Sequence, residues 1–326
     1  MPGRWFWTAL ALMLTGLNGA QAADRLRIAA QATGTLAWEL DVIKAHGLAE
    51  KAGLDLQISQ YAAPEAGRIA LQAGAADIVL ADVMFVAQQR ALGGALVFAP
   101  YTTALGAVMA PTDSPIHSIE DLKGRKIGVA GGPLDKSWLL LRALALRAGF
   151  DLSKQSEPAY GAPRLLAAKA EQGELAAVLN YWNICADLEI SGFRRAIEMT
   201  DVERALGASA PAALVGYAFD GHFASAHPAA IASFLDISTQ ARQILADSPE
   251  EWRRIGAHTG AASPAALELY RTRYSAGARA RPLAAEEADA RILFRAIAKT
   301  GNVGLTAGAL ELDAGTYWRG GAEATH

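Results

Sequence analysis

Residues 126–138 read Lys-Ile-Gly-Val-Ala-Gly-Gly-Pro-Leu-Asp-Lys-Ser-Trp, and an apolar helical stretch, Leu139 to Gly149, follows directly. A short apolar run, a glycine turn and a helix start in that order predict a buried strand feeding a helix N-terminus, the repeating unit of α/β sheets. The turn residues Gly131, Gly132 and Pro133 let backbone come close to a bound molecule. Asp135 is placed to cap the helix, and the first helical amides are donors whose dipole favours negative charge. Lys136, Ser137 and Trp138 add a cation, a hydroxyl and an aromatic face at the same spot. The turn therefore predicts one half of a binding cleft for a small anion.

The same alternation repeats on both sides. Leu26 to Ala30 reads as a strand, followed by a polar turn that holds Thr33 and Thr35, with Trp38 just beyond on a helix that Gly47 stops. Leu54 to Ser59 alternates as a strand, and Pro64 opens a helix that ends at Gly74. Asp77 to Ala81 is a short apolar strand, with Asp82 placed to cap a helix from Val83 to Leu92. After residue 107 a second run of this kind begins, and its strand 176–180 ends at Asn180, Tyr181 and Trp182. From His222 onward the pattern is helix after helix: 224–246, 249–258, 264–275 and 284–300. The apolar run Ala213 to Phe219 reads as the strand that crosses back.

These elements predict an α/β protein of two lobes, each a mixed, mostly parallel sheet with helices on both faces. The first lobe is expected from 24–106 and 220–326, and the second, inserted into it, from 107–219. In open α/β sheets ligands sit at the carboxyl ends of strands. Four such ends, at 31–38, 81–84, 131–138 and 180–183, divide equally between the lobes, so the cleft between them is the expected site.

Composition narrows the class. The chain has 326 residues, more than one core usually holds, which agrees with two domains. A net charge of −3 carries no nucleic-acid footprint. Cys185 is the only cysteine, so no internal disulfide and no cysteine-rich metal centre is possible. The six histidines lack any HxH, HxxxH or HExxH spacing, and no metal site is expected. No Gly-x-Ser-x-Gly elbow marks a hydrolase. Residues 1–23 read as an export signal: Arg4, an apolar run from Trp5 to Leu17, and a small-x-small cleavage pattern at Ala20-Gln-Ala22. The run falls short of the roughly 20 residues that span a bilayer. The mature chain is expected to be soluble and periplasmic.

Several stretches carry a family resemblance: Gly47-Leu-Ala-Glu-Lys-Ala-Gly53, Leu71-Gln-Ala-Gly-Ala-Ala-Asp-Ile78, Ile119-Glu-Asp-Leu-Lys-Gly-Arg-Lys-Ile-Gly-Val129 and Gly173-Glu-Leu-Ala-Ala-Val178. With them the chain resembles periplasmic substrate-binding proteins of ABC importers in the nitrate, sulfonate, taurine and thiamine-precursor group. The resemblance implies a two-lobe, type II-like binding fold that closes by hinge bending. It also implies a monomer that needs no cofactor, catalyses nothing and delivers its ligand to a membrane permease.

The departures from that group concern the ligand. Sulfonate binders often carry a hydroxyl-rich Gly-Ser turn where this chain has Gly131-Gly-Pro-Leu-Asp-Lys136. Three candidate cleft segments carry tryptophan, at Trp38, Trp138 and Trp182, and this favours a flat anion. The best single candidate is pyrroloquinoline quinone, its carboxylates on Lys136 and its ring on a tryptophan face. Alkanesulfonates, taurine, nitrate and thiamine precursors are the alternatives. A periplasmic cofactor chaperone or sensor without a transporter is the alternative of another class.

Overall fold

The computed structural model describes residues 23–32, 34–61, 64–278, 281–301 and 303–320. The expected export signal up to residue 22, and Thr33, lie outside the described residues. The first lobe begins with β1 (Asp24–Gln31), α1 (Thr35–Ala45), β2 (Leu54–Tyr61), α2 (Pro64–Gln72), β3 (Ile78–Asp82), α3 (Val83–Ala91) and β4 (Leu96–Thr102). The second lobe holds β5 (Ala107–Pro111), β6 (Lys126–Ala130), α4 (Lys136–Arg147), β7 (Glu157–Gly161), α5 (Pro163–Glu171), β8 (Ala177–Asn180), α6 (Trp182–Ile190), β9 (Phe193–Glu198) and α7 (Met199–Leu206). Strand β10 (Val215–Asp220) returns the chain, and α8 (Pro228–Asp247), α9 (Pro249–Thr259), α10 (Pro264–Gly277) and α11 (Leu283–Ala298) follow.

Two five-stranded sheets result, ordered β2-β1-β3-β10-β4 and β7-β6-β8-β5-β9. Each is mixed. In the first only β10 runs against its neighbours, and in the second only β5 does. These two are the strands by which the chain arrives from the other lobe. Because β10 pairs with β3 and β4, residues 215–219 belong to the first sheet, so the return falls at Val215 and not at residue 220. Two crossovers, 103–106 and 207–214, join the lobes.

Two strands, β7 and β9, and the helix α7 were not predicted. In β9, Arg194 and Arg195 dilute the apolar signal, and Phe193 is its only buried residue. Strand β7 contains Pro158, which a sheet tolerates at an edge, and β7 is an edge strand. Helix α4 also starts a turn earlier than its apolar run, because Asp135 caps it.

The packing does not divide cleanly between the lobes. One core joins the α3 face of the first sheet to α4, α7 and α11. A second fills the first lobe between α1, α8, α9 and α10, yet it includes Trp182 and Ala186 of α6. In this core the Trp38 and Trp182 ring centres lie 5.9 Å apart, edge to face, and each lies 5.8 Å from Tyr270. Glu39, fully buried beside them, accepts hydrogen bonds from the Tyr101 and Tyr274 hydroxyls, which supply the partners a buried carboxyl needs. Burial pushes the Glu39 carboxyl up to about 7 against the opposing pull of Arg242 and these hydroxyls.

Candidate functional site

Strands β1, β3, β6 and β8 each run straight into a helix: α1, α3, α4 and α6. Two of these helix N-termini are filled by the chain's own acids. Asp82 Oδ1 accepts from the Phe85 amide at 2.8 Å. Asp135 Oδ1 accepts from the Ser137 and Trp138 amides at 2.9 and 3.3 Å. The amides of α4 that the sequence offers to an anion are therefore already engaged. Helices α1 and α6, which start after Gly34 and Tyr181, carry no side-chain cap, so their first amides keep free donor capacity.

Around these ends gathers a cluster of alternating charge. Arg68 on α2 donates to Asp82 Oδ2 at 3.1 Å and lies 5.3 Å over the Phe85 ring. In the second lobe Lys136 Nζ lies 3.9 Å from Asp135 Oδ2 and 5.7 Å from the centre of the Tyr181 ring. The Tyr181 hydroxyl sits over Gly131, where a Cβ would come within 2.5 Å of it and 2.8 Å of Asp135 Oδ2. With φ at +81°, position 131 accepts glycine alone.

Groups of both lobes contribute to the electrostatics of the cluster. Burial pushes the Asp135 carboxyl up; Lys136 and the capping amides oppose this, and Asp82 of the first lobe adds to it. Burial also pushes the Tyr181 hydroxyl well above the usual phenol range, helped by Asp135 from its own lobe and by Asp82 and Glu65 from the other, with Arg68 opposing. One phenol thus feels charges of both lobes.

The sequence-predicted residues divide into two groups. Asp82, Gly131, Asp135, Lys136 and Tyr181 come together. Gly132 and Pro133 complete the turn, and Thr35 is half-buried at the start of α1. Trp38, Trp138 and Trp182 are only 1, 0 and 8 % exposed, which corrects their reading as stacking faces for a ligand. The Trp138 ring, on the first turn of α4, lies in the core that joins the two lobes, while Trp38 and Trp182 cover each other. Val83 is fully buried, and its amide donates to Leu214 O at 2.9 Å. Ser137 is buried as well. Asn180 is spent on the fold, donating to Pro163 O at 2.8 Å and accepting the Tyr181 amide at 2.9 Å.

Arg68 is the residue that sequence reasoning missed. Its signal was slight: one arginine on the second turn of a helix of small and apolar residues, just after the carboxyl end of β2.

Among the described residues no group of acids, histidines and cysteine has metal-site geometry, and no helix is long and apolar enough to cross a membrane. Residues 42–252 match the family described as NMT1/THI5 like. No curated protein matches the chain. Among solved structures, the alkanesulfonate-binding protein SsuA from Xanthomonas axonopodis pv. citri, bound to MOPS, aligns at TM-score 0.69 and 18 % identity, over 90 % of this chain and 98 % of that one. The periplasmic aliphatic sulphonate binding protein SsuA from Escherichia coli aligns at TM-score 0.67 and 20 % identity, over 86 % and 91 %. The desulfurization enzyme DSZB is a more distant likeness, at TM-score 0.54 and 16 % identity, over 84 % and 92 %. The chain belongs to the NMT1/THI5-like family and has the two-lobe fold of periplasmic substrate-binding proteins.

Proposed function

We propose that this chain is the periplasmic solute-binding component of an ABC importer, and that it captures a small organic anion of the sulfonate class between its lobes and hands it to a permease. One observation carries the reading: cations of both lobes stand at the strand ends, Arg68 paired with Asp82 in one and Lys136 over the Tyr181 ring in the other. The likeness to two sulfonate-binding proteins supports it. Each cation is accompanied by a carboxylate, Asp82 or Asp135, which favours an anion that also bears an amino group, as taurine does. Ligand binding drives closure through its higher affinity for the closed arrangement.

A planar quinone has less support, because the three tryptophan faces it would stack on are buried. We assign no catalytic step. The Cys185 thiol is fully buried and pushed up to about 12 by that burial, so it is no nucleophile.

Titration calorimetry of the mature protein with taurine, an alkanesulfonate, nitrate, a thiamine-precursor pyrimidine and pyrroloquinoline quinone tests the reading. Taurine or the alkanesulfonate is expected to bind, with Arg68→Ala and Lys136→Ala each weakening binding about tenfold or more. Binding of the pyrimidine or the quinone with no response to sulfonates would overturn it.

A further inference from the structure

Helix α6 belongs to the second lobe by chain order, with Cys185 and Leu188 in that lobe's core, but it also packs against the first lobe. Its Trp182 and Ala186 lie in the first lobe's core. Further along, Asp187 accepts the Tyr270 hydroxyl at 2.8 Å, and Glu189 accepts from Arg273 at 2.7 Å. Tyr270 and Arg273 both stand on α10 of the first lobe. Glu189 also holds Arg195 of its own lobe at 2.6 Å, so one carboxylate joins the two lobes. At the opposite end, α6 begins beside Tyr181 in the charged cluster.

The first crossover is tied to the same flank. Gly277 O, at the end of α10, accepts the Thr103 amide at 3.0 Å on the first crossover. Three residues on, Gly106 lies directly on the backbone where α6 starts: a Cβ there would stand 2.0 Å from Asn180 O and 3.0 Å from Trp182 N. Crossover, α10 and α6 are one contiguous unit. Opening the lobes along this flank would bring Trp38, Trp182 and Tyr270 into water and separate Glu189 from Arg273, both unfavourable. The side that carries Arg68 and Lys136 is polar.

We propose that α6 is a strut held by both lobes, that the lobes open only on the Arg68–Lys136 side, and that Tyr270 and Arg273 are positioning residues that set where Tyr181 stands in the cleft. The role given to Tyr181 rests on the functional reading above. The strut itself does not.

The test places one spin label on each lobe, at exposed Glu50 and Lys154, and measures the distance distribution of the ligand-free mature protein. Taurine and alkanesulfonate affinities are measured in parallel. Wild type is expected to give one narrow distance. Arg273→Met is expected to add a longer one and to weaken sulfonate binding about tenfold, and Arg273→Lys is expected to restore both. Tyr270→Phe keeps the ring packing and drops only the hydroxyl, so it carries the test if Arg273→Met fails to fold. An unchanged distribution in a folded Arg273→Met or Tyr270→Phe protein overturns the strut. A broadened distribution in the variants, together with a wild type that binds no sulfonate, upholds the strut and overturns the functional reading instead.

Discussion

Asp135 Oδ1 accepts the Ser137 amide at 2.9 Å, so the helix N-terminus that the glycine turn presents to the cleft is occupied by the protein's own carboxylate. The second oxygen, Oδ2, faces Lys136 at 3.9 Å. This acid therefore serves the fold through one oxygen and sets the charge of the cleft through the other.

Asp135→Asn separates these two roles. Asparagine caps helices about as well as aspartate, so stability should change by less than about 1 kcal/mol. Removing the charge beside Lys136 should strengthen binding of a simple alkanesulfonate and weaken binding of taurine, whose amino group loses its partner. Calorimetric titration of both ligands against wild type and variant checks this. Parallel changes for the two would argue against an amine-binding role.

Trp138→Ala should behave in the opposite way. The ring is fully buried in the core that joins the lobes, and truncation should cost about 3–5 kcal/mol. Ligand affinity should stay within about twofold of wild type where the variant is folded, because the ring presents no face to the cleft. Thermal unfolding and titration on one preparation separate the effects, and a large affinity loss with intact stability would return Trp138 to the site.

Those two residues show what the sequence made legible. The order strand, glycine turn, helix places Asp135, Lys136 and Trp138 at a strand end between lobes, since local spacing and turn chemistry determine it. Which of the three faces the cleft depends on helix rotation, and neighbouring positions differ by about 100°. Lys136 turns to Tyr181, while Trp138, two residues on, turns into the core that joins the lobes. Arg68 carried no motif because its importance comes from Asp82, a partner on another element. The pairing of Trp38 with Trp182 was likewise invisible, since each reads as a cleft aromatic until the lobes meet.

Gly106 provides a third test. Its φ is +112°, and a Cβ would stand 2.0 Å from Asn180 O, so Gly106→Ala combines strain with a backbone clash. A loss of about 2–5 kcal/mol is expected. The displaced neighbour is the start of α6, so ligand affinity should fall along with the melting temperature. A variant as stable as wild type would mean that the crossover can shift freely against α6.

Glu203 yields a prediction about pH. It is fully buried on α7 beside the second crossover, and neither carboxylate oxygen makes a hydrogen bond of normal geometry. Burial pushes it up to about 8, with Glu286 and Asp289 adding to the rise and the Ala212 amide and Arg204 opposing it. The folded state thus holds this proton more tightly than the unfolded chain, whose carboxyl titrates near 4.5. Stability from the neutral form is fully present below about pH 4.5 and is lost progressively as pH rises towards 8. Glutamine cannot ionise, so Glu203→Gln should match wild type at pH 4. Above pH 8 it should exceed wild type by on the order of 1–3 kcal/mol. Urea unfolding across that range measures the difference, and equal stabilities at both ends would mean that Glu203 finds a partner or water when ionised.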